Sequence, residues 1–326
     1  AGGLLKSIIY NGSDIFGFSA NSNGYYDNHN DAHAWTYTNT GGIFWSQTEG
    51  YYIHLFTEND GLDLGNTNQL ENHNSVRCLE NIEGCTDLFA ENYDELADYD
   101  DGSCTYPDNG DYSLSFDGVD DYVDLGSNVD FELSDISILI RLKIEEYNNS
   151  GSIISKSTET AGEVGYRVDF SEQKAYFVWS RMGQVQAGTG YVETESFDFE
   201  DWNYVTAIKE SDNINIYLNS LLQNSLSDIT NNNITSNPLV LGMCSQGYSF
   251  FSGKLDEVSI WSTALSQEEI QSSMNSELSG NEEGLVGYWK FNAGTGDILY
   301  DHSGNQNHGT IYGATWVEAP DSFDYE

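Results

Sequence analysis

Basic side chains are scarce in this sequence. Its 326 residues include 11 lysines and arginines against 53 aspartates and glutamates, a formal net charge of −42. A nucleic acid backbone is bound by clustered lysine and arginine, so we expect no nucleic acid partner. Anionic membrane surfaces are disfavoured for the same reason. Two compatible interpretations explain the acidic excess: solubility in salt water, and calcium binding by some of the carboxylates, because calcium takes oxygen ligands.

Long apolar runs are also absent. The longest one, Ile136–Ile144, is interrupted by Arg141 and Lys143, so we predict no membrane-spanning segment. Hydrophobic residues make up 38% of the chain and aromatic residues 13%, which is too rich for a disordered chain. The sequence starts at Ala1 without a secretory leader, and we therefore expect it to begin inside a longer or processed chain.

Proline is rare, and two of the three prolines divide the chain. Pro107 follows a cysteine-containing acidic stretch, and Pro320 precedes an acidic tail. We therefore predict four parts: a truncated mixed domain at 1–80, a small acidic linker at 81–107, a β-rich domain at 108–320 and a tail at 321–326. Residues 1–80 hold strand-like stretches such as GGIFWSQTEG and YYIHLFTE, but too few elements to close a core alone.

The 108–320 domain has the period-two pattern of β-strands. Short alternating, β-branched or aromatic stretches are separated by turn clusters such as NNSGS and DITNNN. These stretches are YSLSF, YVDLG, ISILIRLKI, GYRVDF, KAYFVWS, WNYVTAIK, NINIYLN, PLVLGM and LDEVSIW. One helix is predicted at ALSQEEIQSSM, where Ser266 and Glu269 have the spacing of a capping box. The pattern predicts an antiparallel β-sandwich or jelly roll.

Three stretches of this domain resemble the LamG-like family, the concanavalin A-like jelly roll. They are YSLSFDGVDDYVDLG, FFSGKLDEVSIWSTALSQEEI and GLVGYWKFNAGTGDILYDHSGNQNHGTIYGATWV. The resemblance implies two stacked antiparallel sheets, secretion, often a bound calcium, and binding more often than catalysis. Residues 253–270 also resemble pentraxins. However, LGMCSQGYSFF has no acidic residue before Asp256, so the double calcium site of pentraxins is not carried over.

The first 107 residues carry two further resemblances. GCTDLFAENYDELADYDDGSC is similar to a short repeat in secreted proteins of Bacteroidetes-type bacteria. We expect a disulfide between Cys85 and Cys104, because this segment has little apolar content; closing a loop of about 20 residues stabilises it by roughly 3 kcal/mol. AGGLLK, GFSA, GGIFWSQTE and HNSVRC resemble the C-terminal half of the Fibrobacter major-paralogous family of bacterial surface domains.

Calcium ligands are expected among carboxylates of the LamG-like stretches. The candidates are Asp117, Asp120, Asp121, Asp256 and Asp301. Alternatively, each caps a turn and accepts backbone N–H bonds. Asp256 and Glu257 lie within an apolar strand, where a charge needs a partner such as a metal. An EF-hand starting at Asp98 fails, because Asn109 stands where a bidentate glutamate is needed.

Aromatic residues on an exposed face are the candidates for sugar stacking, although most aromatics of a sandwich belong to its core. The candidate contacts are Tyr176, Trp179, Tyr191, Tyr248 and Phe250. We find no pair of carboxylates with glucanase spacing, no G-x-S-x-G and no H-E-x-x-H, and therefore predict no catalytic residues.

The sequence therefore predicts an extracellular or cell-surface binding protein. Its ligand is expected to be a polysaccharide or glycan, or another surface protein, and calcium is expected to have a structural role. Two alternatives stay open: the chain is the accessory region of a larger exported hydrolase, or a structural spacer of a surface protein. The sequence leaves the oligomeric state and the identity of the ligand open.

Overall fold

The chain divides into two compact units, one of residues 1–83 and 96–99 and one of residues 84–95 and 100–326. The computed structural model describes residues 82–127, 131, 133–145, 150–157, 165–179, 190–198, 201–227, 229, 237–244 and 247–319, together with the backbone of five strands before residue 67. Those five strands are β1 (Tyr25–Tyr26), β2 (Trp35–Thr36), β3 (Gly41–Trp45), β4 (Tyr51–Phe56) and β5 (Leu62–Asn66).

Strands of the first unit form two small antiparallel sheets. β1 pairs with β2, and β3, β4 and β5 form a three-stranded sheet in that order. β3 and β4 confirm the strands predicted at GGIFWSQTEG and YYIHLFTE. The stretches AGGLLKSI and HNSVRCLE lie outside the described residues, as does the acidic tail 321–326.

The second unit is a sandwich of two eight-stranded antiparallel sheets, which confirms the predicted fold class. Sheet I is built in the order β17, β16, β15, β10, β19, β8, β23, and β20 also pairs with β19. Its strands are β8 (Tyr112–Asp117), β10 (Ile136–Ile144), β15 (Asn203–Glu210), β16 (Asn213–Leu218), β17 (Leu221–Leu226), β19 (Ser252–Trp261), β20 (Leu285–Trp289) and β23 (Thr315–Glu318).

Sheet II faces sheet I across the core. Its order is β14, β13, β12, β11, β18, β9, β22, β21. Its strands are β9 (Tyr122–Asp124), β11 (Gly151–Ser157), β12 (Gly165–Ser171), β13 (Lys174–Trp179), β14 (Tyr191–Glu193), β18 (Val240–Leu241), β21 (Ile298–Leu299) and β22 (Gly309–Tyr312). Two short strands, β6 (Glu83–Gly84) and β7 (Tyr99–Asp100), precede the sandwich.

One hydrophobic core lies between the sheets, because alternate residues of each strand point inward. β13 shows the rule: Ala175, Phe177 and Trp179 are buried, while the residues between them are half-exposed. β12 contributes Val168 and Phe170 to the same core. The period-two pattern therefore determines which side chains of sheet II remain available on its outer face.

The only helix among the described residues, α1 (Gln267–Asn275), covers part of the outer face of sheet I. Ser266 is its N-cap, and Ser266 and Glu269 form the predicted capping box. The buried Ile270 and Met274 belong to a second apolar cluster together with Leu139 of β10. None of the described residues forms a helix long and apolar enough to span a membrane.

The disulfide predicted between Cys85 and Cys104 is present. We call residues 84–95 and 100–107 the disulfide segment; it belongs to the same compact unit as the sandwich. Tyr106 stacks on Tyr300, with ring centroids 5.4 Å apart, and Asn109 donates hydrogen bonds to Asn292 O and Ala293 O. The predicted domain boundary at residue 108 stays a prediction, but the Tyr106–Tyr300 contact attaches the segment to the sandwich loops.

Candidate functional site

A groove on the outer face of sheet II contains two of the predicted aromatic contacts. Tyr176 of β13 and Tyr191 of β14 both line it, and their ring centroids lie 6.1 Å apart with planes tilted by 52°. Tyr191 is 42% exposed. The strand register explains why they meet, because Val178, two residues after Tyr176, is paired with Tyr191. The groove has a volume of about 370 Å³.

Polar side chains from the neighbouring strands form the floor of the groove. Asp169 is paired with Tyr176 across β12 and β13, so both side chains lie on one face. One carboxylate oxygen of Asp169 accepts from Ser152 Oγ at 2.6 Å, and the other accepts from Arg167 Nε at 2.7 Å. The groove therefore combines aromatic rings with fixed donors and acceptors, the composition typical of sites for polar small molecules.

The other three predicted aromatic contacts do not line the groove. Trp179 is 1% exposed and stacks on Tyr166 in the core, with ring centroids 5.7 Å apart, so it has no surface for a ligand. This corrects our prediction, and the reason is the alternation of β13. Tyr248 is 38% exposed and Phe250 is half-buried. They flank Ser249, which itself lines the groove.

Three of the five predicted calcium ligands lie together at the turn between β8 and β9. Single carboxylate oxygens of Asp117, Asp120 and Asp121 all lie within 4.8 Å of one another. Asp121 is 6% exposed, and burial together with the charges of Asp117 and Asp120 raises its pKa. An unneutralised carboxylate group of this kind suits the oxygen preference of calcium.

The two carboxylate oxygens of Asp121 have different surroundings. Oδ2 accepts from Asp117 N at 2.8 Å, whereas no donor to Oδ1 lies among the described residues. Gly313, at φ 79°, passes beside Oδ1, and a Cβ atom there would lie 2.1 Å from it. The position of a side chain on residue 313 is therefore taken by Asp121 Oδ1, which requires a residue without a Cβ atom there.

The other two candidate ligands lie elsewhere, and protein groups bind their carboxylates. Asp256 forms a buried ion pair with Arg141, and its second oxygen accepts from Glu257 N at 2.9 Å. Asp301 is fully buried and accepts four hydrogen bonds, from the backbone N–H groups of Tyr288, Ser303 and Asn307 and from Ser303 Oγ. The five aspartates thus do not form one ligand set.

A second cavity, of about 520 Å³, lies between the disulfide segment and the sandwich loops. His302 lines it, and burial, with the charge of Lys290, lowers the pKa of His302 to about 3. Beside the cavity, the buried Asp87 carboxylate accepts from Tyr106 Oη and His308 Nε2, each at 2.6 Å. Burial alone would raise the pKa of Asp87, but these hydrogen bonds outweigh it, so the pKa lies below its ordinary value.

Sequence reasoning missed the polar floor of the groove and the Asp87 cluster. Arg167 and Asp169 alternate with core residues in GYRVDF, so the period-two pattern already placed them on the outer face. No comparable signal marks Asp87, because its partner His308 is 221 positions away.

Comparison with known proteins supports the fold. Residues 117–271 match the family model Laminin_G_3, described as the concanavalin A-like lectin/glucanases superfamily. No curated protein of similar sequence was found. The resemblances of residues 1–107 to a cysteine-bounded repeat and to the Fibrobacter family stay predictions.

Solved structures with a similar fold share little sequence with this chain. A candidate carbohydrate-binding protein from Bacteroides ovatus ATCC 8483 has a TM-score of 0.53 and 17% identity, over 68% of this chain and 64% of its own. This chain therefore spans less than two thirds of that protein. The CBM40 of a Ruminococcus gnavus IT-sialidase has a TM-score of 0.43 and 15% identity, over 49% of this chain and 96% of its own. At this identity the similarity concerns the fold alone, and residues 117–271 are the part of the chain that resembles the concanavalin A-like superfamily.

Proposed function

We propose that the sandwich is a non-catalytic carbohydrate-binding module whose sugar site is the groove of sheet II. The observation that carries this proposal is the meeting of Tyr176 and Tyr191 above the Ser152–Asp169–Arg167 network. A sugar ring presents an apolar C–H face and a rim of hydroxyls, so it needs an aromatic surface beside fixed polar groups. This groove offers both.

Fold and size are consistent with this role. The match of residues 117–271 to the concanavalin A-like superfamily supports a lectin-like function over an unrelated one. The groove volume of about 370 Å³ falls within the range of roughly 300–1,000 Å³ that small-molecule sites occupy. The neighbour from Bacteroides ovatus is itself a candidate carbohydrate-binding protein, which adds an analogy of fold.

An extracellular setting and a structural calcium ion belong to the same proposal. The Cys85–Cys104 disulfide supports an oxidising compartment, because disulfides persist in secreted proteins and are rare in the cytosol. Asp117, Asp120 and Asp121 would hold the calcium ion at the turn before β9. The ion would neutralise three carboxylates that otherwise repel one another. In this setting the module attaches its parent protein to a polysaccharide, as an adhesin or as the accessory region of a hydrolase.

Tyrosine substitutions test the proposal. We expect Tyr191→Ala and Tyr176→Ala each to weaken retention by polysaccharides in affinity electrophoresis by about tenfold, since each removes a stacking face. Tyr312→Ala is the matched control, because Tyr312 is also an exposed tyrosine of sheet II, at 45%, but does not line the groove.

Three outcomes would contradict the proposal. If no polysaccharide is retained but a surface protein is, the module is a protein adhesin. If neither is retained, the spacer alternative replaces the binding function. If Tyr312→Ala weakens retention as much as Tyr191→Ala, the site lies elsewhere on sheet II.

A further inference from the structure

We infer that the groove selects uncharged sugars and rejects acidic ones, an inference that rests on the proposed function. Recognition of a sugar carboxylate or sulfate requires an available cation, most often an arginine. Among the described residues that line the groove, the only cation is Arg167, and its Nε already donates to Asp169. The pair is only 13% and 21% exposed at its side chains, so its charges are largely withdrawn from the solvent.

Negative charge prevails around this pair. Glu172 also lines the groove, so the described lining residues carry two carboxylates for one guanidinium. On the neighbouring strands Lys174 donates to Glu193 at 2.7 Å, so the next ammonium group is neutralised as well. An incoming carboxylate would therefore approach Asp169 and Glu172 without gaining a new ion pair, and like charges held this close cost free energy.

Elsewhere on the described chain, the same neutralisation recurs. Five of its eight lysine and arginine residues form an ion pair with a carboxylate. The pairs are Arg141–Asp256, Arg167–Asp169, Lys174–Glu193, Lys254–Glu145 and Lys290–Glu277. Lys156 and Lys209 are buried and donate to backbone carbonyls. Lys143 lies on β10 of sheet I. The three remaining basic residues, Lys6, Arg77 and Arg181, lie outside the described residues.

Net charge reinforces the selection at long range. A chain with a formal charge of −42 repels a polyanion before contact and slows its association. This repulsion weakens as salt is added, because the Debye length falls from about 30 Å at 0.01 M to about 3 Å at 1 M. An uncharged polysaccharide experiences neither effect, so its binding should be insensitive to salt.

The test compares one polysaccharide backbone with and without charge. A panel of neutral polysaccharides, including laminarin, galactan, mannan and xylan, is screened first with the full chain. The backbone that is retained best is then offered in its native form and as its carboxymethyl derivative, at 20 mM and 500 mM NaCl. We expect the native form to bind about tenfold or more tightly than the derivative at low salt, with a smaller ratio at high salt.

Asp169→Asn should shift the preference toward the charged derivative. It removes the carboxylate that neutralises Arg167. We therefore expect the affinity for the carboxymethyl derivative, relative to the affinity for the native form, to rise about tenfold. Glu145→Gln is the matched control: it removes the same charge from the Lys254 pair on sheet I, and the ratio should stay unchanged.

Each outcome decides between the inference and the proposed function. If the carboxymethyl derivative binds as well as the native form at low salt and Tyr191→Ala abolishes both, the groove accepts acidic sugars and only the inference fails. If Asp169→Asn and Glu145→Gln change the ratio equally, net charge acts alone and the assignment to the groove fails. If no neutral polysaccharide of the panel is retained but the carboxymethyl derivatives are, only the inference fails. If neither form is retained, the proposed function fails, and the inference with it.

Discussion

Asp87 and His308 lie 221 positions apart in the chain and share a hydrogen bond of 2.6 Å between Oδ2 and Nε2. The other ring nitrogen of His308, Nδ1, accepts from Asp301 N at 2.9 Å. An acceptor at Nδ1 and a donor at Nε2 define the neutral imidazole with its proton on Nε2. This relationship fixes the disulfide segment on the sandwich loops.

Removing the carboxylate should therefore loosen the disulfide segment. We expect Asp87→Ala to lower the free energy of unfolding by about 3 kcal/mol, because Tyr106 and His308 both lose a buried acceptor. Chemical denaturation measures the change. Glu95→Ala is the control, since Glu95 is an exposed acid of the same segment. Equal effects of the two variants would contradict the role of Asp87.

Truncation tests the same attachment. We expect a fragment of residues 108–319 to fold cooperatively, but to melt about 5–10 °C below a fragment of residues 82–319. The reason is the loss of the Asp87–His308 and Tyr106–Tyr300 contacts. Calorimetry compares the two fragments. Identical melting temperatures of the two fragments would show that the disulfide segment does not stabilise the sandwich.

Glu257 should make the stability of the protein depend on pH. It occupies the left-handed region, at φ 44°, where the pairing of β10 with β19 shifts register. Burial, followed by the charge of Asp256, raises its pKa well above the ordinary value, and Tyr288 Oη donates to its carboxylate at 2.7 Å. The folded state therefore holds the proton more tightly than the unfolded state does.

For this residue the stabilising contribution is present at low pH and is lost as the pH rises through the folded-state pKa. We expect Glu257→Gln to raise the free energy of unfolding more at pH 8 than at pH 4, because the amide has no charge to bury. Urea denaturation across this range measures the difference. Glu283→Gln, at an exposed position, should show no such trend. A flat difference for Glu257→Gln would be incompatible with this account.

Calcium should stabilise the module through the turn before β9. At a hundredfold excess over Kd a bound ion adds about 2.7 kcal/mol, which corresponds to a rise in melting temperature of roughly 5–10 °C. We expect Asp121→Asn to remove most of this rise, because Asp121 is one of the three clustered carboxylates. Magnesium should substitute poorly, since it demands tighter octahedral geometry. Equal shifts in melting temperature from calcium, magnesium and sodium at matched ionic strength would show that the three carboxylates are a solvated surface without a specific calcium site.

Local signals predicted much of the sandwich, because its strands are specified by their own alternation. β10 begins and ends at the predicted residues, and α1 begins where Ser266 and Glu269 placed it. In contrast, β11 includes Gly151 and Ser152, which the composition assigned to a turn. Pairing with β12 and β18 overrides the weak local preference of its serines.

Long-range partners were beyond the sequence pattern. Asp256 is a candidate calcium ligand by sequence, but its charge is balanced by Arg141, 115 positions earlier in the chain. That pairing depends on the register between β10 and β19, which the alternation of either strand alone does not define. For Trp179, in contrast, the signal was present. Trp179 lies three positions after the outward-facing Tyr176, and an odd spacing along a strand puts two side chains on opposite faces of the sheet.

The pairing of the first and last strands of the sandwich has a mechanical consequence. β8 and β23 lie side by side and antiparallel, with Tyr112 opposite Glu318, and Ala319 N donates to Asp111 O at 3.0 Å. The chain thus enters and leaves the sandwich at the same corner. Tension on the two flanking segments would open this pair like a zipper, one hydrogen bond at a time, instead of shearing all its bonds together. In single-molecule stretching, the edge strand β23 should therefore detach at low force, before the core yields.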